Sequence, residues 1–267
     1  MKVAVEYITP EQATYMLKHN PNNRKLQKSR VEKMALFMER GAWQNNGSSI
    51  VMNGEVLLDG QHRLSAVVMS GMTIPFVVVR DVEKTAFSSI DTGRSRTLAD
   101  ALHVKGNRNA NAVAAALNFY RNMRQAAVPR PNPKSVEPMT HGELIALLDE
   151  CPHIQQSVQY VLDFEIRPTV SVSLLAALHA LFSEKDRRLA DRYIRAIGTG
   201  IGVQEGSVEA AVMFRLGGKF TRKSEKTNTN AQAIAIIKGW NHLRTGTIPQ
   251  RIQAFGKKKT GKIVPIE

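Results

Sequence analysis

The pattern of apolar and polar positions near the N-terminus predicts a strand followed by two helices. Residues 3 to 8 alternate as a half-buried strand does. Thr9-Pro10-Glu11-Gln12 then has the N-cap, the N1 proline and the capping box of a helix start. Ser29 and Glu32 form a second capping box, and the apolar stripe that follows predicts a helix ending at Gly41.

A tight hairpin and a third helix follow. Two apolar runs, residues 50 to 52 and 56 to 58, flank Asn53-Gly54, which is the strongest local signal for a hairpin turn. After Asp59-Gly60, apolar residues recur at helical spacing. Residues 74 to 79 are a continuous apolar run suited to a buried strand. The predicted fold class is therefore α+β, with strands and helices in the N-terminal part.

The first turn of this third helix carries the candidate chemistry of the chain. A helix N-terminus has unpaired backbone N–H groups and the positive end of the helix dipole, so it attracts anions. Gly60 has no side chain to keep an anion away, and Gln61 adds a backbone donor. Arg63 adds a fork of donors, while His62 can give or take a proton near neutral pH. In the purely structural interpretation, Asp59 is only the helix N-cap.

The longest motif of this region is Asp59-Gly60-Gln61-His62-Arg63-Leu64-x-Ala66, preceded by Asn20-Pro21-x-x-Arg24 and Gly41-x-Trp43. Over roughly the first hundred residues, these motifs resemble the ParB/sulfiredoxin superfamily, in particular DGQHR-type ParB-like proteins of phages and mobile elements. Members of that superfamily include partition proteins, nucleases, a cysteine reductase and free-serine kinases. The resemblance therefore implies a small α/β core and a phosphate pocket, but not one reaction.

Two residues depart from the patterns of the superfamily. Gln61 stands where the reductase branch has cysteine, which argues against reductase chemistry, and His62 stands where the partition branch has arginine. The kinases of the superfamily are similar in having Asp-Gly-x-His-Arg at this site, which favours an ATP-type phosphoryl donor. They also use an acidic residue from the N-terminal part of the fold, and the resemblance makes Glu6 the candidate.

Two polar loops are further candidates for phosphate contacts. Asn23 and Arg24 lie in a loop where packing does not require them, so they either face a phosphate or are simply solvated. Asp91, Thr92 and Arg94 belong to a second loop that also contains a glycine. That loop suits a phosphate or nucleic-acid contact, or else it is an ordinary turn in which Asp91 is a local cap.

The remaining chain is predicted to be mainly helical. Residues 107 to 124 predict a helix, and four prolines within ten positions then interrupt the pattern. We interpret residues 126 to 138 as a linker. Residues 1 to 125, which contain the Asp59–Arg63 motif, are then the predicted nucleotide- or phosphate-binding domain. Helical patterns dominate residues 139 to 267, which are predicted to form a basic nucleic-acid-binding domain.

The charge of the chain makes a polyanion the expected partner. The formal net charge is +14, and between Arg215 and Lys262 twelve basic residues stand against one acid. For the three consecutive lysines near the end, a merely solvated face is the competing interpretation. The nucleic-acid-binding candidates are Lys219, Arg222, Lys223, Lys257, Lys258 and Lys259.

Composition also argues against several classes of protein. No apolar run approaches twenty residues and the N-terminus lacks a signal-peptide core, so we expect a cytoplasmic protein without a membrane partner. The single cysteine, Cys151, excludes an intramolecular disulfide. Neither His-x-x-x-His nor Cys-x-x-Cys occurs, so the protein alone is not expected to build a metal site.

These residues together predict phosphoryl chemistry, which requires cations, backbone donors and a group that positions or deprotonates the nucleophile. Asp59 or His62 could act as the base or orient a divalent ion such as Mg²⁺, while Arg63 and Arg24 supply charge. We expect an enzyme that binds ATP or CTP and acts on nucleic acid, DNA in the first place, as a kinase or a nuclease. The alternatives are a non-catalytic, nucleotide-switched DNA-binding regulator and a small-molecule kinase.

Overall fold

The computed structural model describes residues 1–20, 25–83, 96–126, 136–166, 170–217, 229–249, 252 and 266. Over these residues the fold is mixed α+β, as the sequence predicts. The chain divides into two compact units, Met1–Ser95 and Arg96–Glu267. Within the described residues, no helix has both the length and the apolar character needed to cross a membrane.

The first unit is built on a four-stranded mixed sheet. Its strands are β1 (Lys2–Ile8), β2 (Ser49–Asn53), β3 (Val56–Asp59) and β4 (Ile74–Arg80), in the order β1-β4-β2-β3. β4 pairs antiparallel with β1 and parallel with β2, while β2 and β3 form the predicted hairpin around Asn53-Gly54. The two edge strands are therefore β1 and β3, and β4 and β2 separate them.

Three helices complete this unit, namely α1 (Pro10–Lys18), α2 (Lys28–Glu39) and α3 (Gln61–Ser70). Thr9 and Gln12 form the predicted capping box of α1. The second predicted box is not formed, because α2 begins at Lys28 with Gln27 as its N-cap and without a side-chain cap. The three helices and the sheet share one apolar core that contains Ile8, Met38, Ile50, Leu64 and Phe76.

The second unit consists of helices in its described residues. Its core surrounds α8, whose residues from Leu174 to Phe182 are all buried. The ring of Trp240 stacks flat on Phe182, with centroids 4.3 Å apart. The helices are α4 (Leu98–Val104), α5 (Ala110–Gln125), α6 (His141–Glu150), α7 (His153–Leu162), α8 (Val172–Ser183), α9 (Arg187–Thr199), α10 (Val208–Gly217) and α11 (Thr229–Arg244).

The boundary between the units differs from the predicted linker at 126–138. Leu102 of α4 and Leu117 of α5 are fully buried in the same apolar core as α8. Because this burial holds α4 and α5 in the helical unit, the boundary follows Ser95. Within the predicted linker, residues 127–135 lie outside the described part of the chain.

A buried polar network joins α7, α8 and α9. The Nδ1 atom of His179 lies 2.8 Å from Ser157 Oγ, and its Nε2 atom lies 2.7 Å from Asp191 Oδ1. The His179 ring stacks on Tyr160 with centroids 4.5 Å apart, and Arg187 donates to Asp191 at 2.8 Å. Ser157 is fully buried, so no substrate reaches this Ser–His–Asp arrangement. Its role is to hold three helices together.

Candidate functional site

The turn between β3 and α3 is built around Gly60. Its φ of +112° lies in the left-handed region, which a residue with a Cβ atom adopts only with strain. A Cβ atom at this position would also lie 2.5 Å from Ile50 Cδ1. The backbone conformation therefore favours glycine here, and the contact with Ile50 adds to the cost of a larger residue. Helix α3 begins at Gln61 without a side-chain N-cap.

Asp59 and Arg63 form an ion pair across this turn. The Nη2 atom of Arg63 lies 2.7 Å from Asp59 Oδ2, and it also donates to the Ser49 carbonyl oxygen at 2.7 Å. The side chains of Arg63 and Asp59 are 14% and 25% exposed. Asp59 therefore orients the arginine and does not cap the helix, since the N-cap is Gly60.

One donor of Arg63 has no acceptor. The Nε atom is buried and makes no hydrogen bond within the described chain. The two hydrogen bonds of Arg63 to described residues are both made by its Nη2 atom. Leaving a buried charged donor unpaired is costly, so this nitrogen marks a place where an anion or a water molecule would be stabilised.

His62 is held by the residue that precedes α2. Its Nε2 atom accepts a hydrogen bond from the backbone N–H of Gln27 at 3.0 Å, and the residue is 8% exposed. With Nε2 as acceptor, a neutral ring carries its proton on Nδ1. In this conformation, therefore, the Nε2 atom of His62 is not available to take a proton from a substrate.

Gln61 is also held by a hydrogen bond from a residue outside α3. The Asn20 side-chain amide donates to Gln61 Oε1 at 3.2 Å. Asn20 and Gln27 thus each contact the first turn of α3. The predicted phosphate contacts Asn23 and Arg24 lie outside the described residues.

The start of α3 is more closed than the sequence predicts. Gly60, Gln61 and His62 are all buried, whereas the sequence pattern favours a backbone that an anion reaches freely. The cause is tertiary packing, because Ile50 lies against Gly60 and Gln27 bonds to His62. Among the described residues, the unpaired donor at this turn is therefore on the arginine side chain and not in an open row of backbone N–H groups.

The structure does not bring Glu6 to this turn, which corrects its predicted catalytic role. Glu6 lies on β1 and Asp59 on β3, and these opposite edge strands are three spacings of about 4.8 Å apart. Arg80 holds both carboxylate oxygens of Glu6, with distances of 3.1 and 2.7 Å. These hydrogen bonds raise the pKa of Arg80. Strand order, which the sequence does not display, separates the two carboxylates.

Several other predicted contacts cannot be placed relative to this turn. In the described part of the chain, no group of three or more His, Cys, Asp or Glu side chains is arranged to hold a metal ion. ATP, CTP and Mg²⁺ thus stay predictions that rest on the resemblance and on the turn itself. The predicted residues outside the described chain are Asp91, Thr92, Arg94, Lys219, Arg222, Lys223, Lys257, Lys258 and Lys259.

Sequence reasoning missed the two backbone groups that organise the turn. Ser49 acts through its carbonyl oxygen and Gln27 through its N–H group, so neither leaves a side-chain signal. Asn20 belongs to a motif quoted for the resemblance, yet its contact with Gln61 becomes visible only in three dimensions.

No protein family, no curated protein and no solved structure matches this chain. The similarity to the ParB/sulfiredoxin superfamily therefore remains a prediction from the motif around Asp59.

Proposed function

We propose that this chain is a DNA-associated protein that binds the phosphate of a nucleotide, ATP or CTP, or of DNA beside Asp59 and Arg63. We further propose that it carries out phosphoryl chemistry on nucleic acid, either transfer or cleavage. The observation that carries the proposal is the state of the Arg63 guanidinium. One of its nitrogens is fixed by Asp59 and Ser49, while its Nε atom is buried and unpaired within the described residues.

An arginine held in this way suits phosphate recognition. Its side chain has already lost the rotamer freedom that binding would otherwise cost, since Asp59 and Ser49 set its orientation. A guanidinium N–H also forms a strong, charge-assisted hydrogen bond to a phosphate oxygen. A phosphate near Nε would give the unpaired donor an acceptor.

The ion pair also limits what this site can do alone. Asp59 and Arg63 have no net charge as a pair, so other groups must supply the attraction for an anion. The positive end of α3 is one such group. A Mg²⁺ ion brought by the nucleotide is the second, because the partly exposed carboxylate of Asp59 is a suitable oxygen ligand.

The charge of the whole chain supports nucleic acid as the partner. A net charge of +14 and an isoelectric point near 10.1 attract polyanions over distances of about one Debye length, roughly 8 Å at physiological salt. A small-molecule kinase would have no use for this surplus. The proposed substrate is therefore DNA.

A second candidate function is a non-catalytic, nucleotide-switched DNA-binding regulator. The hydrogen bond between Gln27 and His62 favours it, because this bond occupies the nitrogen that a catalytic base would use. The same bond fastens the start of α2 to α3, so a ligand that displaces it would change how the two helices are held together. Nucleotide binding would then change the contact between α2 and α3.

Labelled ATP and CTP, each tested with and without DNA and with and without Mg²⁺, distinguish these functions. Label on DNA indicates a kinase, shortened DNA a nuclease, and retained nucleotide without turnover a switch. Label on a small acceptor would support a small-molecule kinase and contradict the proposal.

The matched variants are Arg63→Ala and Arg80→Ala. Both remove an arginine from a carboxylate pair in the first unit, but only Arg63 has an unpaired buried donor. Nucleotide binding and any turnover should be lost with Arg63→Ala and retained with Arg80→Ala. Equal activity in the two variants would remove the site assignment.

A further inference from the structure

The outward face of α9 is a row of three exposed arginines. Arg188, Arg192 and Arg195 are spaced i, i+4 and i+7, so they lie on one side of the helix, and we call them the arginine row. None of the three makes an ion pair with another described residue. The opposite side of α9 is buried in the core of the second unit through Ala190, Tyr193, Ile194 and Ile197.

The two acids at the start and on the flank of α9 are engaged elsewhere. Asp186 caps α9 by accepting a hydrogen bond from the Leu189 N–H at 3.0 Å. Asp191 accepts hydrogen bonds from His179 and Arg187 on the flank of the helix. The arginine row therefore keeps its three charges without neutralisation from its own helix.

The arginine row is not expected to stabilise the fold. Like charges three and four residues apart on a helix repel one another and lower its stability slightly. The three side chains are exposed, so their burial offsets little of this repulsion. A surface of this kind is expected to bind something negative.

We propose that the arginine row binds the phosphate backbone of duplex DNA. This inference rests on the proposed function, because it takes DNA as the partner. It adds the surface of the protein that binds the DNA. Seven residues of helix span about 10.5 Å, and a duplex presents one negative charge per about 1.7 Å of its axis, so the three guanidinium groups can contact phosphates together. Arginine binds phosphate oxygens through two donors at once.

The composition of this face selects the duplex backbone among possible polyanions. The outward side of α9 carries no aromatic residue for stacking on unpaired bases, so single strands are not favoured. Its apolar side is buried in the core, so the helix cannot insert that side into a membrane surface. Contacts to phosphates position a duplex without reading its sequence, so we expect this binding to be largely independent of sequence.

The test measures fluorescence anisotropy of labelled duplex DNA with the full chain. In the variant with Arg188→Gln, Arg192→Gln and Arg195→Gln, the Kd should rise about tenfold or more at moderate salt. The slope of log affinity against log salt should become shallower by about three, at roughly 0.9 per lost contact. The thermal midpoint should stay unchanged or rise, since only repulsion is removed.

The matched control is Lys18→Gln, Arg96→Gln and Arg108→Gln, which removes the same charge from exposed, scattered positions. This control should keep most of the affinity for DNA. If both triple variants lose the same amount of DNA affinity, the arginine row is not a specific binding surface and the loss reflects net charge alone. Binding to vesicles containing phosphatidylserine, without binding to DNA, would also overturn it.

Failure of this inference can be told apart from failure of the proposed function. Retention of ATP or CTP by the wild type, and its loss in Arg63→Ala, is measured without DNA. If the wild type retains nucleotide, and the arginine-row variant binds DNA as tightly as the wild type does, the phosphate site is supported and α9 is not the DNA contact. If the arginine-row variant loses DNA binding but the wild type retains no nucleotide, α9 is supported as the DNA contact and the phosphate site is contradicted.

Discussion

The backbone N–H of Gln27 donates a hydrogen bond to the Nε2 atom of His62 at 3.0 Å, which ties the residue before α2 to the first turn of α3. Because His62 is 8% exposed, water cannot readily replace the imidazole. The ring is therefore part of the structure of the turn as well as a candidate for its chemistry.

His62→Ala is expected to lower the free energy of unfolding by about 1 to 3 kcal/mol, because the Gln27 N–H loses its acceptor and a small void forms. Urea unfolding of the purified protein measures this loss. His141→Ala, at an exposed position, is the control and should stay within about 0.5 kcal/mol of the wild type. Similar stability of both variants would show that the bond to Gln27 contributes little.

Gly60→Ala is expected to cost about 2 kcal/mol or more, because a Cβ atom is strained at a φ of +112° and meets Ile50 Cδ1 at 2.5 Å. Gly54→Ala is the control, since it has a positive φ but open space around its Cβ position. It should cost about 1 kcal/mol. Ile50→Val removes the clashing methyl group, so the double variant with Gly60→Ala should be less destabilised than the sum of the two. Additive losses would contradict the packing argument.

A double-mutant cycle of Asp59→Ala and Arg63→Ala is expected to give a coupling free energy of about 1 to 2 kcal/mol. The pair lies at 2.7 Å and is mostly shielded from solvent, with 25% and 14% exposure. The control cycle uses Lys105 and Asp149, which are 46% and 67% exposed and 3.1 Å apart. Its coupling should not exceed about 0.5 kcal/mol, as for other surface pairs. Equal couplings would mean that Arg63 is not held by Asp59.

The network around His179 predicts a pH dependence of stability. Burial lowers the pKa of His179, and the hydrogen bond to Asp191 opposes this only in part. As the pH falls below the ordinary value of about 6.5, the unfolded chain takes up a proton while the folded chain does not. The free energy of unfolding should therefore fall on acidification by at most about 1.4 kcal/mol per pH unit.

Urea unfolding between about pH 7.5 and pH 5.5 tests this dependence. His179→Phe lacks the titrating group, so its stability should fall less over this range even though it starts lower. The exposed His141→Ala variant should keep the wild-type slope. An unchanged slope in His179→Phe would assign the acid sensitivity to other groups.

Much of the local structure follows from short-range signals. The hairpin around Asn53-Gly54, the capping box of Thr9 and the helix start after Gly60 all depend on a few neighbouring residues, and all are found. The failed capping box at Ser29 shows the limit of such signals. There, α2 begins at Lys28, and its N-cap Gln27 donates its backbone N–H to His62.

The sequence indicated which residues form the turn of the candidate site, but not how those residues are buried or which residues contact them. The motif from Asp59 to Arg63 marked the turn, and the ion pair between those two residues joins positions four apart. The closing of the turn by Ile50, and the separation of Glu6 from Asp59, depend on which strands become neighbours. That choice is made by packing between distant segments, which no local pattern records.

By itself the sequence determined the period of each helix and strand, the turn residues and the surplus of basic charge, because these depend on composition and near neighbours. Only the tertiary structure decided that α4 and α5 join the helical unit, that one buried donor of Arg63 has no partner among the described residues, and that the arginine row faces outward. The reason is physical: burial and hydrogen-bond partners are properties of contacts between remote parts of the chain, and those contacts exist only once it is folded.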